Sequence, residues 1–347
     1  MSRDGCEPVR IRILRQPPAG WERFLARVAD AELAADAHWS ELAARHYAGG
    51  RPCWLVAESA AGDLLGGISL VARRRWQTVR LESSLDGTVA GPQIAADLPP
   101  DRQDAVLLAM CGGLLDLLGG RATLVAFTVA APALRRRLAA LLAGTRWRLV
   151  SYDSAVVDCR PGLQQVEAHA WTNNRRNERN RGLKRGCHLQ VERDPELLAD
   201  WYPLYFAQAV RWRQAPVPRA FLVDLLHHYQ REIVVTTVRL DGRLVGGHFC
   251  LVSRRRLVPY LSAADAELAR THFLHTLLYW QDIVHACAVG LEAVDFGGCV
   301  GRDSLWDFKR RCGGQPEARL QVQAISRTGR WLARLGALRG RSQRQHS

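Results

Sequence analysis

The chain has 347 residues, 48% of them hydrophobic, which excludes wholesale disorder and leaves enough apolar surface for two domain cores. No apolar run approaches the roughly 20 residues that cross a bilayer, and the N-terminal MSRDGCEPVRIRIL lacks the apolar core of a secretory signal, so the expected location is cytoplasmic. A formal net charge of +14 favours anionic partners: phosphate-rich metabolites, nucleic acid or anionic lipid.

The nine cysteines are scattered and never spaced C-x-x-C, which argues against a zinc ribbon or a disulfide framework. They read as small core residues. His272 and His275 stand one helical turn apart with no carboxylate or thiolate at ligand spacing, so no metal site is expected.

In chain order, CWLVAES (residues 53–59) reads as a strand. GDLLGGISLVARRR (62–75) reads as a tight glycine turn, a second strand and a basic loop. RQDAVLLAMCGGLLDLLGG (102–120) has helical spacing, and ATLVAF (122–127) is a short strand. Next comes a polar run, Thr172 to Arg185, with six basic residues, one acid and no apolar stripe. It is either a solvated charge run or an arm that touches a phosphate-bearing substrate.

The first pattern then repeats. EIVVTTVRLD (232–241) is a strand, and GRLVGGHFCLVSRRR (242–256) is a turn, strand and basic loop; Asp241-Gly242 is a hairpin signal. ELARTHFLHTLLYWQDIVHACAVG (267–290) places Phe273, Leu277, Trp280, Val284 and Cys287 on one helix face and ends at a capping glycine, Gly290. LEAVDF (291–296) is the closing strand. Gly66-Gly67 and Gly246-Gly247 interrupt matching strands, the mark of a bulge or a close backbone approach. The fold class is therefore α/β, mixed α+β, in two tandem copies: 1–160, 161–325, and a basic tail 326–347. In the tail, Trp331, Leu332, Leu335 and Leu338 form the apolar side of a membrane-touching segment or belong to a solvated terminus.

The copies differ where the last strands align. Ala126 precedes Phe127 in the first, Asp295 precedes Phe296 in the second, and only the second continues into WDFKRR. That divides the labour: chemistry in the second copy, support in the first, unless the difference is drift in a structural duplicate.

The arm NNRRNERNRGLKRG, the strands LVGGHFCLV and LVPYLSAAD, the helix LLYWQDIVHACAVGL, then VDFGG and WDFKRRCGG, resemble the FemAB-like branch of the GNAT acyltransferase superfamily, which includes CelD-type proteins linked to exopolysaccharide biosynthesis. The resemblance covers roughly residues 165–316 and implies a tandem GNAT fold. Each domain would hold a mostly antiparallel mixed sheet with a splayed cleft flanked by helices. The implied activity is transfer of an acyl or aminoacyl group to an amine or hydroxyl of a cell-envelope or exopolysaccharide precursor. Its site residues would be Lys309 and Asp295 at the catalytic centre, with Tyr260, Trp280, Arg176, Lys184, Arg185 and Arg310 toward substrate. Two roles stand open for Asp295, a structural acid bonded to the amides near Gly297 and a general base. Acyl-CoA is the implied donor, although the place of the glycine-bearing phosphate cradle reads AADAELARTHFLH, without glycine. Competing readings are an aminoacyl-tRNA-dependent transferase that uses the basic arm, and a non-catalytic component of a polysaccharide synthesis complex on the inner face of the membrane. Stable DNA binding is not expected. The lack of G-x-S-x-G favours direct attack over a covalent enzyme intermediate.

Overall fold

The computed structural model describes residues 7–29, 31–75, 78–120 and 122–331. The chain divides into two compact units, Met1–Ser151 with Leu320–Ser347, and Tyr152–Arg319. No helix among the described residues is long and apolar enough to cross a membrane. Trp331 is exposed, and Leu332, Leu335 and Leu338 of the expected apolar stripe lie outside the described residues.

The first unit runs β1 (Arg10–Leu14), α1 (Trp21–Leu25), α2 (Ala37–His46), β2 (Arg51–Glu58), β3 (Leu64–Arg75), β4 (Thr78–Glu82), β5 (Gln93–Ile94), α3 (Pro100–Gly120), β6 (Leu124–Val129) and α4 (Pro132–Leu142). β7 (Arg148–Asp158) leads into the second unit. There follow α5 (Leu163–Gln165), α6 (Asn173–Lys184), β8 (Cys187–Glu192), α7 (Leu198–Arg211), α8 (Arg219–His228), β9 (Ile233–Leu240), β10 (Arg243–Ser253), β11 (Arg256–Ala264), α9 (Leu268–Thr271), α10 (Leu274–Ala288), β12 (Ala293–Gly298) and α11 (Asp303–Arg311). β13 (Gln315–Ile325) leads back to the first.

The strands of the two units follow one plan. In the first, the strand order is β1-β2-β3-β4-β6-β13, antiparallel except for the β4–β6 pair. In the second it is β8-β9-β10-β11-β12-β7, antiparallel except for β11–β12. Each central parallel pair is joined by a long helix, α3 or α10, as a parallel connection requires.

The repeated glycine pairs have one explanation in both copies. Ala57 faces Gly66 while Glu58 faces Leu64, so Leu65 bulges; Val238 faces Gly246 while Arg239 faces Leu244, so Val245 bulges. The second glycine of each pair lies under an indole. A Cβ at Gly67 would stand 2.5 Å from Trp21, and one at Gly247 would stand 2.7 Å from Trp201. The Asp241-Gly242 hairpin is present, with both residues at positive φ.

In the first unit α3 covers a core of Leu55, Ile68, Leu70, Val106, Met110 and Phe127. In the second, α10 is not simply amphipathic. The expected face does bury Leu277 and Trp280, but Asp282, His285 and Gln281 are buried too. β9 and β10 bury Asp282 on one side; on another, Gly182 of α6 packs against the start of α10, where a Cβ would stand 2.8 Å from the His272 carbonyl oxygen. Despite its charge, α6 packs through its arginines. Arg179 stacks on Trp280 and Arg175 on Phe308, at 4.3 and 4.5 Å from the ring centroids.

Candidate active site

β11 and β12 pair only at Arg256–Ala293 and Leu257–Val294, and the strands continue past that register without further pairing. α10 presents three polar side chains on the side that faces β10 beside this divergence: His275, Tyr279 and Asp282, spaced i, i+4, i+7. β10 supplies His248 from a run that is apolar between Leu244 and Val252, and Ser262 of β11 is its cross-strand partner.

His248 is 1% exposed and Asp282 is fully buried. His248 Nδ1 lies 2.7 Å from Asp282 Oδ2, and Thr236 Oγ1 donates to Asp282 Oδ1 at 2.6 Å. Such a carboxylate accepts Nδ1–H, fixes the tautomer, and leaves the Nε2 lone pair for a proton or ligand. Tyr279 stands edge-on to His248, with centroids 5.1 Å apart, and edge-on to Phe296 of β12 at 4.3 Å. It therefore touches both β10 and β12, the strands on either side of β11. Burial pushes the Tyr279 phenol well above its usual pKa, so it remains a proton donor at neutral pH. Burial, then His248 and Arg211, push His275 down to about 4, so its imidazole is neutral. Burial also raises the Cys250 thiol well above the usual value, with Asp282 adding to the effect, which makes it a poor nucleophile.

Lys309 and Asp295 each bond to the end of β12, through different partners. Lys309 is the buried residue of α11, and its Nζ donates to the carbonyls of Phe296, Gly297 and Gly298 at 2.5, 3.0 and 3.4 Å. Those three bonds match the three protons of an ammonium. Burial lowers its pKa, partly offset by Cys299 and Asp295. Gly297 has φ of 79°, the left-handed backbone that turns these carbonyls toward the lysine.

Val294 and Phe296 point into the core beneath α10, so Asp295 points to the opposite sheet face. There it accepts from Ser154 Oγ, from the Gly297 amide at 2.9 Å and from Arg319 at 2.5 Å. Arg319, 2% exposed, also bonds Glu317 at 2.5 Å, and Glu317 bonds Arg256 at 2.7 Å. Burial works against the Arg319 charge, but the two carboxylates outweigh it and hold its pKa above the usual value.

The other expected residues are spread out. Tyr260 is the half-buried bulge residue of β11, between Pro259, which faces Cys250, and Leu261, which faces Phe249. Trp280 is a core residue packed edge-on against Trp171. Arg176 bonds the Glu167 carbonyl and Asn173. Lys184 and Arg185 are exposed at the end of α6, where Arg185 stacks on Phe273. Arg310 is exposed and paired with Asp307. Phe273, at φ of 56°, precedes α10, whose N-terminus has no side-chain cap. Uncapped amides beside Arg185 fit a phosphate, although no glycine loop is present.

Sequence reading missed His248, Asp282, Thr236 and Tyr279. Two signals were available: a histidine within GGHFCLV, and polar residues at helical spacing in a helix that is apolar elsewhere.

Residues 172–310 match the family described as acetyltransferase (GNAT) domain. No curated protein matches the chain in sequence. Among solved structures, FemX aligns with a TM-score of 0.63 at 12% identity, over 93% of this chain and 99% of its own. A tandem GNAT protein from the clavulanic acid biosynthesis pathway aligns at 0.57 and 13%, over 92% and 98%. The C-terminal domain of a putative lysylphosphatidylglycerol synthetase from Agrobacterium fabrum aligns at 0.56 and 13%, over 89% and 92%. Residues 172–310 therefore form a GNAT acetyltransferase domain. The whole chain shares its fold with FemX and with a tandem GNAT protein.

Proposed function

We propose that the protein transfers an acyl or aminoacyl group to an amine or hydroxyl of a cell-envelope or exopolysaccharide precursor, at the cytoplasmic face of the membrane, by direct attack beside the diverging β11 and β12. The observation that carries this reading is the buried His248–Asp282 pair, with the Tyr279 ring edge-on against the imidazole. The acceptor nucleophile adds to the acyl carbonyl carbon, and His248 Nε2 takes its proton. As the tetrahedral adduct collapses, the bond to the donor sulfur or oxygen breaks and Tyr279 gives its proton to that leaving atom. Asp282 stabilises the imidazolium. Lys309 and Asp295 are positioning residues in this scheme, since their hydrogen bonds already hold the β12 end together. A donor phosphate would lie at the first turn of α10 near Arg185; acyl-CoA supplies the activated thioester when it is the donor.

A second reading, aminoacyl transfer from tRNA, is favoured by the exposed Arg181, Lys184 and Arg185 along one end of α6. Likeness to a putative lysylphosphatidylglycerol synthetase domain supports aminoacyl transfer in general. Radiolabelled transfer from acetyl-CoA against transfer from charged tRNA separates the donors. With the active donor, Asp282→Asn lowers kcat by about 100-fold or more and Tyr279→Phe by about 10- to 100-fold, with little change in KM. If both variants keep wild-type kcat, the acid–base assignment is wrong.

A further inference from the structure

The first unit holds a cavity of about 460 Å³ that the transfer chemistry does not use. It lies at one end of the sheet, between the end of β1, the start of β2, the end of β3 and the start of β4, with Leu117 of α3 among its lining residues. This end is opposite the C-terminal ends of the parallel β4–β6 pair. The strand register explains its floor. Ala72 faces Arg51 on one neighbour and Leu81 on the other, and Arg74 faces Val79, so these side chains share one sheet face.

Two features limit what fits. The floor, formed by Cys53, Ala72, Leu81 and Leu117, offers no hydrogen-bonding side chain beyond one thiol, which disfavours a nucleobase or sugar. Among the described residues, the charged ones lining the cavity are Arg15, Arg51 and Arg74, all exposed, and no aspartate or glutamate lines it. Three guanidiniums over an apolar floor match a molecule with an apolar body and an anionic head.

We propose that this cavity binds an anionic amphiphile, its alkyl or isoprenoid body on the floor and its phosphate or carboxylate head at the arginines. The site is independent of the transferase centre and gives the first copy a ligand-binding role of its own.

The test uses the full chain with decyl phosphate and decanoate, each below its critical micelle concentration, and with decanol and inorganic phosphate as half-ligands. Calorimetry is expected to show saturable binding of decyl phosphate or decanoate, the stronger of the two naming the head group, and affinity about tenfold or more weaker for either half-ligand. Maleimide labelling followed by peptide mass spectrometry is expected to show Cys53 protected by the bound amphiphile and Cys299 unchanged. Arg15→Gln with Arg51→Gln, both at exposed positions, is expected to weaken binding about tenfold or more. Ala72→Phe fills the floor and abolishes it; if that variant fails to fold, the arginine pair and Cys53 protection decide. The inference is overturned if neither amphiphile binds saturably, if the arginine variant binds as tightly as wild type, or if Cys53 labels at the same rate with ligand present.

Discussion

Lys309→Met separates a lysine that holds the fold from a lysine that does chemistry. Methionine nearly conserves the volume of the buried stem but removes an ammonium that donates to three carbonyls, two of them within 3.0 Å. A hydrogen bond from a charged donor contributes about 1.5–3 kcal/mol, and a buried acceptor left without a partner costs about 1–3 kcal/mol. Burial of the ammonium opposes this, as its lowered pKa shows, so the three bonds do not simply add. The net expected loss is about 2–4 kcal/mol, a large share of an ordinary domain stability of about 5–15 kcal/mol. Urea unfolding at pH 7, followed by tryptophan fluorescence, reads the stability. Single-turnover transfer at low temperature, where the variant remains folded, reads the chemistry. The reasoning fails if Lys309→Met unfolds within about 0.5 kcal/mol of wild type yet loses transfer by about 100-fold or more. Lys309 would then act on the reacting atoms.

Gly247→Ala places a methyl 2.7 Å from the fully buried Trp201 and is expected to cost about 2–3 kcal/mol in the same urea assay. Gly112→Ala in α3, where a Cβ meets nothing within 4 Å, is its control and should stabilise by about 0.5–1 kcal/mol; equal effects at both positions would refute the packing account. His275 gives a pH signature. Its pKa is depressed to about 4 in the fold, against about 6.5 in the unfolded chain, so the unfolded chain binds the extra proton between those values. The stability is fully present above about pH 6.5 and declines as pH falls toward 4. His275→Gln should flatten that decline in urea midpoints measured across this range; an unchanged slope would show that the imidazole is not held neutral.

Much of the architecture was legible because it repeats. The turn-strand-glycine pattern of 62–75 and 242–256 marked two copies, and Asp241-Gly242 marked a hairpin, since both are local backbone requirements written in residue type. The bulges at Leu65 and Val245 fall one residue before the paired glycines, and the close approach falls on the second glycine of each pair. What the glycines face could not be read, because Trp21 and Trp201 reach them from helices outside the repeated motif. The candidate site was half legible for the same reason. Asp295 and Lys309 stood out as charges near an apolar strand, but a charge reads alike in sequence whether it faces a substrate or three carbonyls.

The sequence by itself determined the duplicated mixed α/β plan, the hairpin and glycine positions, and the stretch that ends β12, since each depends on backbone conformation or on periodicity between near neighbours. Only the tertiary structure decided which polar groups meet. His248 and Asp282 are 34 residues apart, and Asp295 and Arg319 are 24 apart. Each pair is made when a strand or helix crosses the sheet and expels water from between two groups that would otherwise stay solvated apart.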